Sequence, residues 1–160
     1  MIRAFAFLSL LALCQAAAAQ TNLNLGSIDA DPSLPVEVTA ESLSVDQQTG
    51  EARFSGNVVI GQGDLRLAAA EVIVVYSEAS GEIARLRASG GVTFVTPTEA
   101  AEAQAADYDL TAGTLTLTGE VLLTQGANAL SANRMVVNLT TGTAQLDGQV
   151  RTVLAPQGTP

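Results

Sequence analysis

The residues of this sequence that could carry out chemistry are mainly carboxylates. Asp107 and Asp109 flank Tyr108, and in a strand both carboxylates would point to the face opposite Tyr108. Paired carboxylates can bind a metal ion or work as acid and base, but on a strand a solvated face is the simpler interpretation. Glu99 and Glu102 are interpreted in the same way. The sequence therefore predicts neither a metal site nor a catalytic site at these residues.

Several residue types that catalysis often needs are missing. The sequence has no His, Lys or Trp, and Cys14 is its single Cys. Without His there is no Ser–His or Cys–His nucleophile system, and without Lys there is no Schiff base or phosphate-loop lysine. Arg85 and Arg87 share one strand face and could contact an anionic group, although cross-strand ion pairing explains them more simply. We therefore expect a protein that is not an enzyme and needs no cofactor.

The first residues have the features of a secretory signal peptide. Arg3 provides a basic start, residues 4–13 are apolar but too short to span a bilayer, and residues 16–19 are small. We expect cleavage after Ala19, which would also remove Cys14. The net charge of −9 would then become −10, because Arg3 is lost. So acidic a chain is a poor candidate for binding nucleic acid, because backbone phosphates need clustered cations.

A fourfold repeat dominates the rest of the chain. Glycines separated by 34, 29 and 29 residues each begin a Gly-x-Val triplet. The copies are Gly56-Asn57-Val58, Gly90-Gly91-Val92, Gly119-Glu120-Val121 and Gly148-Gln149-Val150. A repeat at this period indicates one supersecondary unit stacked on itself, with its apolar face buried against its neighbours.

Apolar residues alternate with polar ones along each repeat. Leu43 and Val45, for example, alternate with serines and Asp46. This period of two predicts half-buried antiparallel strands joined by tight glycine turns, and hence an all-β fold. We expect the first patterned strand, residues 36–40, and the last, residues 150–154, to lie at opposite ends of the array, each with one open edge.

Two segments depart from this rhythm. Residues 72–76 are apolar on both faces, so this strand is expected either to be covered on both sides or to lie at an end contact. Thr96, Pro97 and Glu99 could cap a helical turn, but the repeat favours a strand over residues 103–110 with at most one helical turn before it. The expected organisation is a signal peptide at 1–19, a flexible lead-in at 20–35, a β-domain at 36–156 and a tail at 157–160.

The apolar strand face has two interpretations. It can fill a core between two sheets, or part of it can line an apolar cavity. The chain has 4 Phe and 2 Tyr. A core built mainly from Val, Leu and Ala, with few aromatic rings to plug it, leaves room for a slot.

Several motifs resemble the OstA-like family, above all its soluble LptA-like members. They are FSGNVVIGQGD at 54–64, TLTGEV at 116–121 and TVLAP at 152–156. The resemblance implies an open, slightly twisted β-jellyroll of about a dozen or more antiparallel strands, located in the periplasm. It also implies transport of lipopolysaccharide between the inner and outer membranes, with the acyl chains of its lipid A portion shielded in an apolar interior.

The resemblance extends to partners and to a lipid-binding site. It implies an inner-membrane-anchored LptC-like protein, an outer-membrane LptD-like barrel protein, and head-to-tail self-association. The predicted lipid-binding residues match positions that line the interior in the family, and each lies on the apolar phase of its strand: Val36, Val38, Phe94, Tyr108 and Leu110.

Two other classes of protein remain open. A structural β-solenoid filament or surface protein would share the repeat but have a filled core and bind no lipid. A secreted enzyme using Asp and Glu alone would need two carboxylates converging in a cleft, which the sequence does not indicate.

Overall fold

The computed structural model describes residues 22–24 and 33–154. The predicted signal peptide and C-terminal tail lie outside the described residues. All regular elements in the described part of the chain are β-strands, which confirms the all-β prediction. Within those same residues, no helix has the length and hydropathy that crossing a bilayer would require.

Eleven strands follow one another in the described residues. They are β1 (Asn22–Asn24), β2 (Glu37–Thr39), β3 (Ser42–Asp46), β4 (Glu51–Gln62), β5 (Leu65–Tyr76), β6 (Ile83–Val95), β7 (Glu99–Asp109), β8 (Thr114–Gln125), β9 (Asn128–Asn138), β10 (Thr143–Asp147) and β11 (Arg151–Val153).

The strands form one antiparallel sheet in the order β1-β10-β9-β8-β7-β6-β5-β4-β2. From β4 to β10, each strand pairs with the next one along the chain, as short hairpin connections require. β3 shares the partner strand β4 with β2, and β11 shares β9 with β10. The turn glycines Gly50, Gly113 and Gly142 have φ of 65°, 63° and 66°, as their places in the repeat predict.

Three of the Gly-x-Val triplets mark a corner inside a long strand, and the fourth lies between β10 and β11. Gly56 and Asn57 have φ of 82° and 45°, and the register with β5 jumps there from Ser55–Glu71 to Val58–Ala69. Two residues of β4 thus oppose one of β5, which is a β-bulge that bends the strand. The other three triplets also place both of their first two residues at positive φ.

The stacked corners divide the sheet into two layers that face each other. Layer A holds the halves of the long strands that contain residues 58–62, 65–69 and their neighbours, together with β2 and β11. Layer B holds the other halves, including residues 51–55 and 71–76, together with β3, β10 and β1. The side opposite the corners, where the hairpin turns of both layers lie, is called the open side below.

The core lies between the layers. Val58 and Leu123 of layer A and Leu117 and Val137 of layer B are at most 1% exposed. The inner residues are mainly Val, Leu and Ala, as the alternation predicts. At the end of the array formed by β2 and β3, the alternation wrongly predicts burial. Leu43 and Val45 on edge strand β3 are 56% and 63% exposed.

The edges of the array differ from the sequence prediction at one end. β2 and β3 lie at one end and β11 lies at the other, as predicted. However, residues Asn22–Asn24 fall within the expected flexible lead-in and instead pair with β10 as strand β1. At this end the chain itself therefore covers the outer edge of β10, while β11 pairs with β9 alone among the described strands.

The two irregular segments are explained by neighbouring side chains. No layer covers the outer face of residues 72–76; instead Ile73 lies directly between Arg53 and Arg87, whose aliphatic stems can cover it. Before β7 there is a tight turn and no helical turn. Thr96 N–H donates to the Glu99 carbonyl over 2.9 Å, and Glu99 N–H donates to Thr96 Oγ1 over 3.0 Å.

Candidate functional site

Ion pairs lie on the outer face of layer B. They join the arginines of β6 to carboxylates of β7 and β4. Arg85 contacts Asp107 at 3.6 Å and Asp109 at 3.1 Å. Arg87 reaches Glu51 at 2.5 Å. A hydrogen bond from the Ala112 N–H is the main reason that the pKa of Asp109 lies below its usual range, and Arg85 adds to it. The predicted cross-strand pairing of these arginines is thus what the structure shows.

Glu99 and Glu102 have different surroundings. Glu102 is exposed, whereas Glu99 is only 5% exposed at the start of β7. Burial by itself would raise the pKa of Glu99, but hydrogen bonds from Thr96, Thr98 and Gln125 outweigh it and lower the pKa. Neutral donors therefore hold this carboxylate in its charged form and close the β6–β7 turn. No group of three or more metal-ligating side chains occurs in the described residues.

An apolar cavity lies between the layers, near the open side. Its volume is about 30 Å³, room for about two water molecules. Layer A contributes Ile60, Leu67 and Phe94, and layer B contributes Leu86 and Leu115. Because both layers line one cavity, their inner faces meet directly here.

A wider recess opens beside this cavity. It measures about 650 Å³, and its lining is mixed. The apolar part includes Leu34, Val36, Ile83 and Leu110, and the polar part includes Tyr76, Glu82 and Thr111. Val36 lines both the recess and the cavity, so the two spaces adjoin. Together they form a path from the surface of the open side to the interior.

The five predicted lipid-binding residues lie along or close to this path. Phe94 is buried and lines the cavity with Val36 and Tyr108, which are half-buried. Leu110 lines the recess. Val38 is half-buried and packs against the core without lining either space. The structure thus brings four of the five side chains together at the open side.

Sequence reasoning missed Gln62, which lies at the centre of this site. Its side chain is 6% exposed and lines the cavity. The Tyr108 hydroxyl donates to Gln62 Oε1 over 3.1 Å, and Gln62 Nε2 donates to the Leu34 carbonyl over 3.1 Å. Burial raises the pKa of Tyr108 above its ordinary value. The alternation of side chains along β4 could have identified Gln62, because Gln62 follows Val58 and Ile60 on the inward-facing side of this strand.

Comparison with known proteins gives three findings. The family model described as LptA/(LptD N-terminal domain) LPS transport protein matches residues 37–143. An uncharacterized protein of Rhizobium meliloti (strain 1021) is 29% identical over 157 residues, covering 91% of this chain and 84% of that protein.

The third finding is a solved structure with a similar fold. It is LptH of Pseudomonas aeruginosa, described as the LptA homologous periplasmic component of a lipopolysaccharide transport device. The TM-score is 0.71 at 18% identity, and the match covers 79% of this chain and 99% of LptH. At this identity the likeness shows a shared fold.

Proposed function

This chain belongs to the family of LptA/LptD N-terminal domain lipopolysaccharide transport proteins, and we propose that it carries lipopolysaccharide through the periplasm by burying the acyl chains between its layers. The observation that carries the proposal is the path from the recess, whose lining is partly polar and partly apolar, to the apolar interior cavity. The recess of about 650 Å³ has the size of an ordinary ligand pocket. The inner face beyond it is built from apolar side chains.

The layers must separate on the open side when an acyl chain binds, because the cavity of about 30 Å³ is too small for one. Each buried methylene contributes about 0.8 kcal/mol, so a chain of about a dozen carbons gains on the order of 10 kcal/mol. This gain supplies the free energy for opening. The strand pairing at the corners is on the opposite side and stays intact.

The phosphorylated headgroup stays outside the slot. The chain is acidic, with 7 cationic against 16 acidic residues. Repulsion between surface carboxylates and lipid phosphates is screened over about 8 Å at physiological salt. Apolar burial of the acyl chains therefore outweighs this repulsion.

The two ends of the array support a bridging role. At one end, β2 and β3 have unpaired outer edges among the described strands, and Leu43 and Val45 are exposed there. At the other end, Val153 and Leu154 are 53% and 69% exposed. Unpaired strand edges beside exposed apolar side chains suit main-chain pairing with another β-domain.

We infer that these ends join copies of this chain head to tail. A contact between different ends can propagate into a filament. The same ends would accept an LptC-like protein at the inner membrane and an LptD-like barrel protein at the outer membrane, which together give a continuous path for the lipid.

Site-specific photo-crosslinking tests the lipid-binding part of the proposal. A benzophenone amino acid replaces Phe94, whose side chain is buried, or Val95, the next residue on the outer face of β6. We expect crosslinks to lipopolysaccharide from position 94 and few from position 95. Equal yields from both positions would contradict binding in the interior.

The narrow cavity favours one alternative, a structural filament with a filled core. Such a protein would share the strand array and the open ends, but its interior would exclude lipid. It predicts assembly without any crosslink from position 94. The same experiment therefore separates the two functions.

A further inference from the structure

A hydrogen bond joins the two layers at the mouth of the interior. Tyr108 on β7 belongs to layer B and Gln62 on β4 belongs to layer A, and β5 and β6 lie between their strands. The Tyr108 hydroxyl donates to Gln62 Oε1 over 3.1 Å, and both side chains line the otherwise mainly apolar cavity. Gln62 also donates to the carbonyl of Leu34. These groups therefore close the interior where a chain must pass.

An acyl chain inserted at this point would separate the two polar groups. The hydroxyl of Tyr108 would lose its acceptor, and Gln62 Oε1 would lose its donor. A buried polar group left without a partner is costly, more so than the hydrogen bond was stabilising. An unsubstituted alkyl chain cannot replace either partner, so the full cost of both unpaired groups weakens its binding.

A hydroxyl group on the ligand can restore both bonds. Its oxygen accepts from the Tyr108 hydroxyl, and its own hydrogen is donated to Gln62 Oε1. A lone ester oxygen accepts only and would leave Gln62 Oε1 without a donor. Burial raises the pKa of Tyr108 above its ordinary 10.0, so the phenol remains a neutral donor at neutral pH.

We propose that Tyr108 and Gln62 select acyl chains that carry a hydroxyl group near the head end, a preference that rests on the proposed binding of acyl chains in the interior. The position of the hydroxyl group along the acyl chain follows from the geometry of the site. Both side chains lie at the open side, where the headgroup remains outside, so the ligand hydroxyl must lie close to the headgroup. A β-hydroxyacyl chain meets this requirement.

The experiment compares two fatty acids of equal length, myristic acid and β-hydroxymyristic acid. Both carry one carboxylate, so their affinities differ only through the hydroxyl. Binding is measured by isothermal titration calorimetry, below micelle-forming concentrations, with the wild type, Tyr108→Phe and Gln62→Leu. Gln104→Leu is the matched control for Gln62→Leu, because Gln104 is an exposed glutamine that lines neither the cavity nor the recess. Thermal unfolding shows that each variant is folded.

We expect the wild type and Gln104→Leu to bind the hydroxylated acid about fivefold more tightly than myristic acid, which corresponds to about 1 kcal/mol from restored hydrogen bonding. Tyr108→Phe and Gln62→Leu should each reduce this preference, because each variant leaves the ligand hydroxyl with one protein partner instead of two. Equal affinities in the wild type would overturn the inference and leave interior lipid binding intact. Binding of neither acid would overturn the interior lipid site as well.

Discussion

Gly90 on β6 lies against Ala70 on β5, so closely that a Cβ atom on Gly90 would be 2.7 Å from the Cβ of Ala70. Gly90 also has φ of 83°. Its neighbour Gly91 has φ of 86° but nothing within 4 Å of a Cβ atom. Two features therefore favour glycine at position 90, its φ and its contact with Ala70, whereas only the φ favours glycine at position 91.

The first prediction follows from this difference. Gly91→Ala should lower the free energy of unfolding by about 1–2 kcal/mol, the cost of a left-handed conformation. Gly90→Ala should lower it by about 1–3 kcal/mol more, because the rigid methyl of Ala70 cannot move aside. Urea denaturation monitored by circular dichroism measures both. Equal losses would show that the contact with Ala70 has no energetic weight.

The second prediction concerns lipid retention at the recess. Leu110→Asp places a charge where an acyl chain would pass, while Ala112→Asp places it on a nearby exposed residue that does not line the recess. We expect Leu110→Asp to reduce the crosslinking of lipopolysaccharide from position 94 at least about tenfold, since an unpaired charge beside a buried alkyl chain is costly. Ala112→Asp should leave the yield near that of the wild type. Unchanged crosslinking in folded Leu110→Asp would exclude the recess as the lipid path.

The third prediction concerns Glu99 and pH. Its folded-state pKa is lowered below the reference value of 4.5, so the hydrogen bonds to its carboxylate stabilise the fold above that value. This contribution is lost as pH falls through the lowered folded-state pKa. Glu99→Gln should therefore destabilise the protein at neutral pH, with the difference from wild type shrinking on acidification below about pH 4.5.

Urea midpoints measured between neutral pH and about pH 3 test this dependence. Glu102→Gln removes a charge from an exposed position of the same strand and is the control. The difference in urea midpoint between wild type and Glu99→Gln could instead stay constant over the whole range. That result would show that the hydrogen bonds from Thr96, Thr98 and Gln125 do not stabilise the charged form of Glu99.

The fourth prediction concerns assembly. Val45→Asp places a charge on the exposed apolar face of β3, and Ser44→Asp places the same charge on the opposite face of the same strand. Val45→Asp should weaken self-association more than Ser44→Asp, because it desolvates a charge at the contact. Light scattering across protein concentration gives both association constants.

Salt provides an independent check on the same assembly. The net charge of −9 opposes association, so added salt should strengthen it in the wild type. A wild type that remains monomeric at every salt and protein concentration would exclude the filament while leaving lipid binding untouched.

Local features of the sequence determined the strands and their corners. The alternation of apolar and polar residues is a property of each strand alone, so it predicted which face of β4 and β8 is buried. The Gly-x-Val triplets recur along the chain, so their spacing predicted a repeated unit before any pairing was known, and the structure then showed positive φ at the first two residues of each triplet. Phe94, Tyr108 and Val36 were predicted at the interior from the family resemblance, and their strand phase agreed.

Tertiary structure alone decided what lies opposite each face. Leu43 and Val45 have the same alternation as core residues, but no strand pairs beyond β3 to cover them among the described residues. Ile73 lies between Arg53 and Arg87 of two other strands, a placement that no local pattern encodes. Gln62 and Tyr108 are 46 residues apart and meet only because the corners fold layer A onto layer B. Periodicity reports the direction of a side chain, whereas its partner depends on long-range pairing.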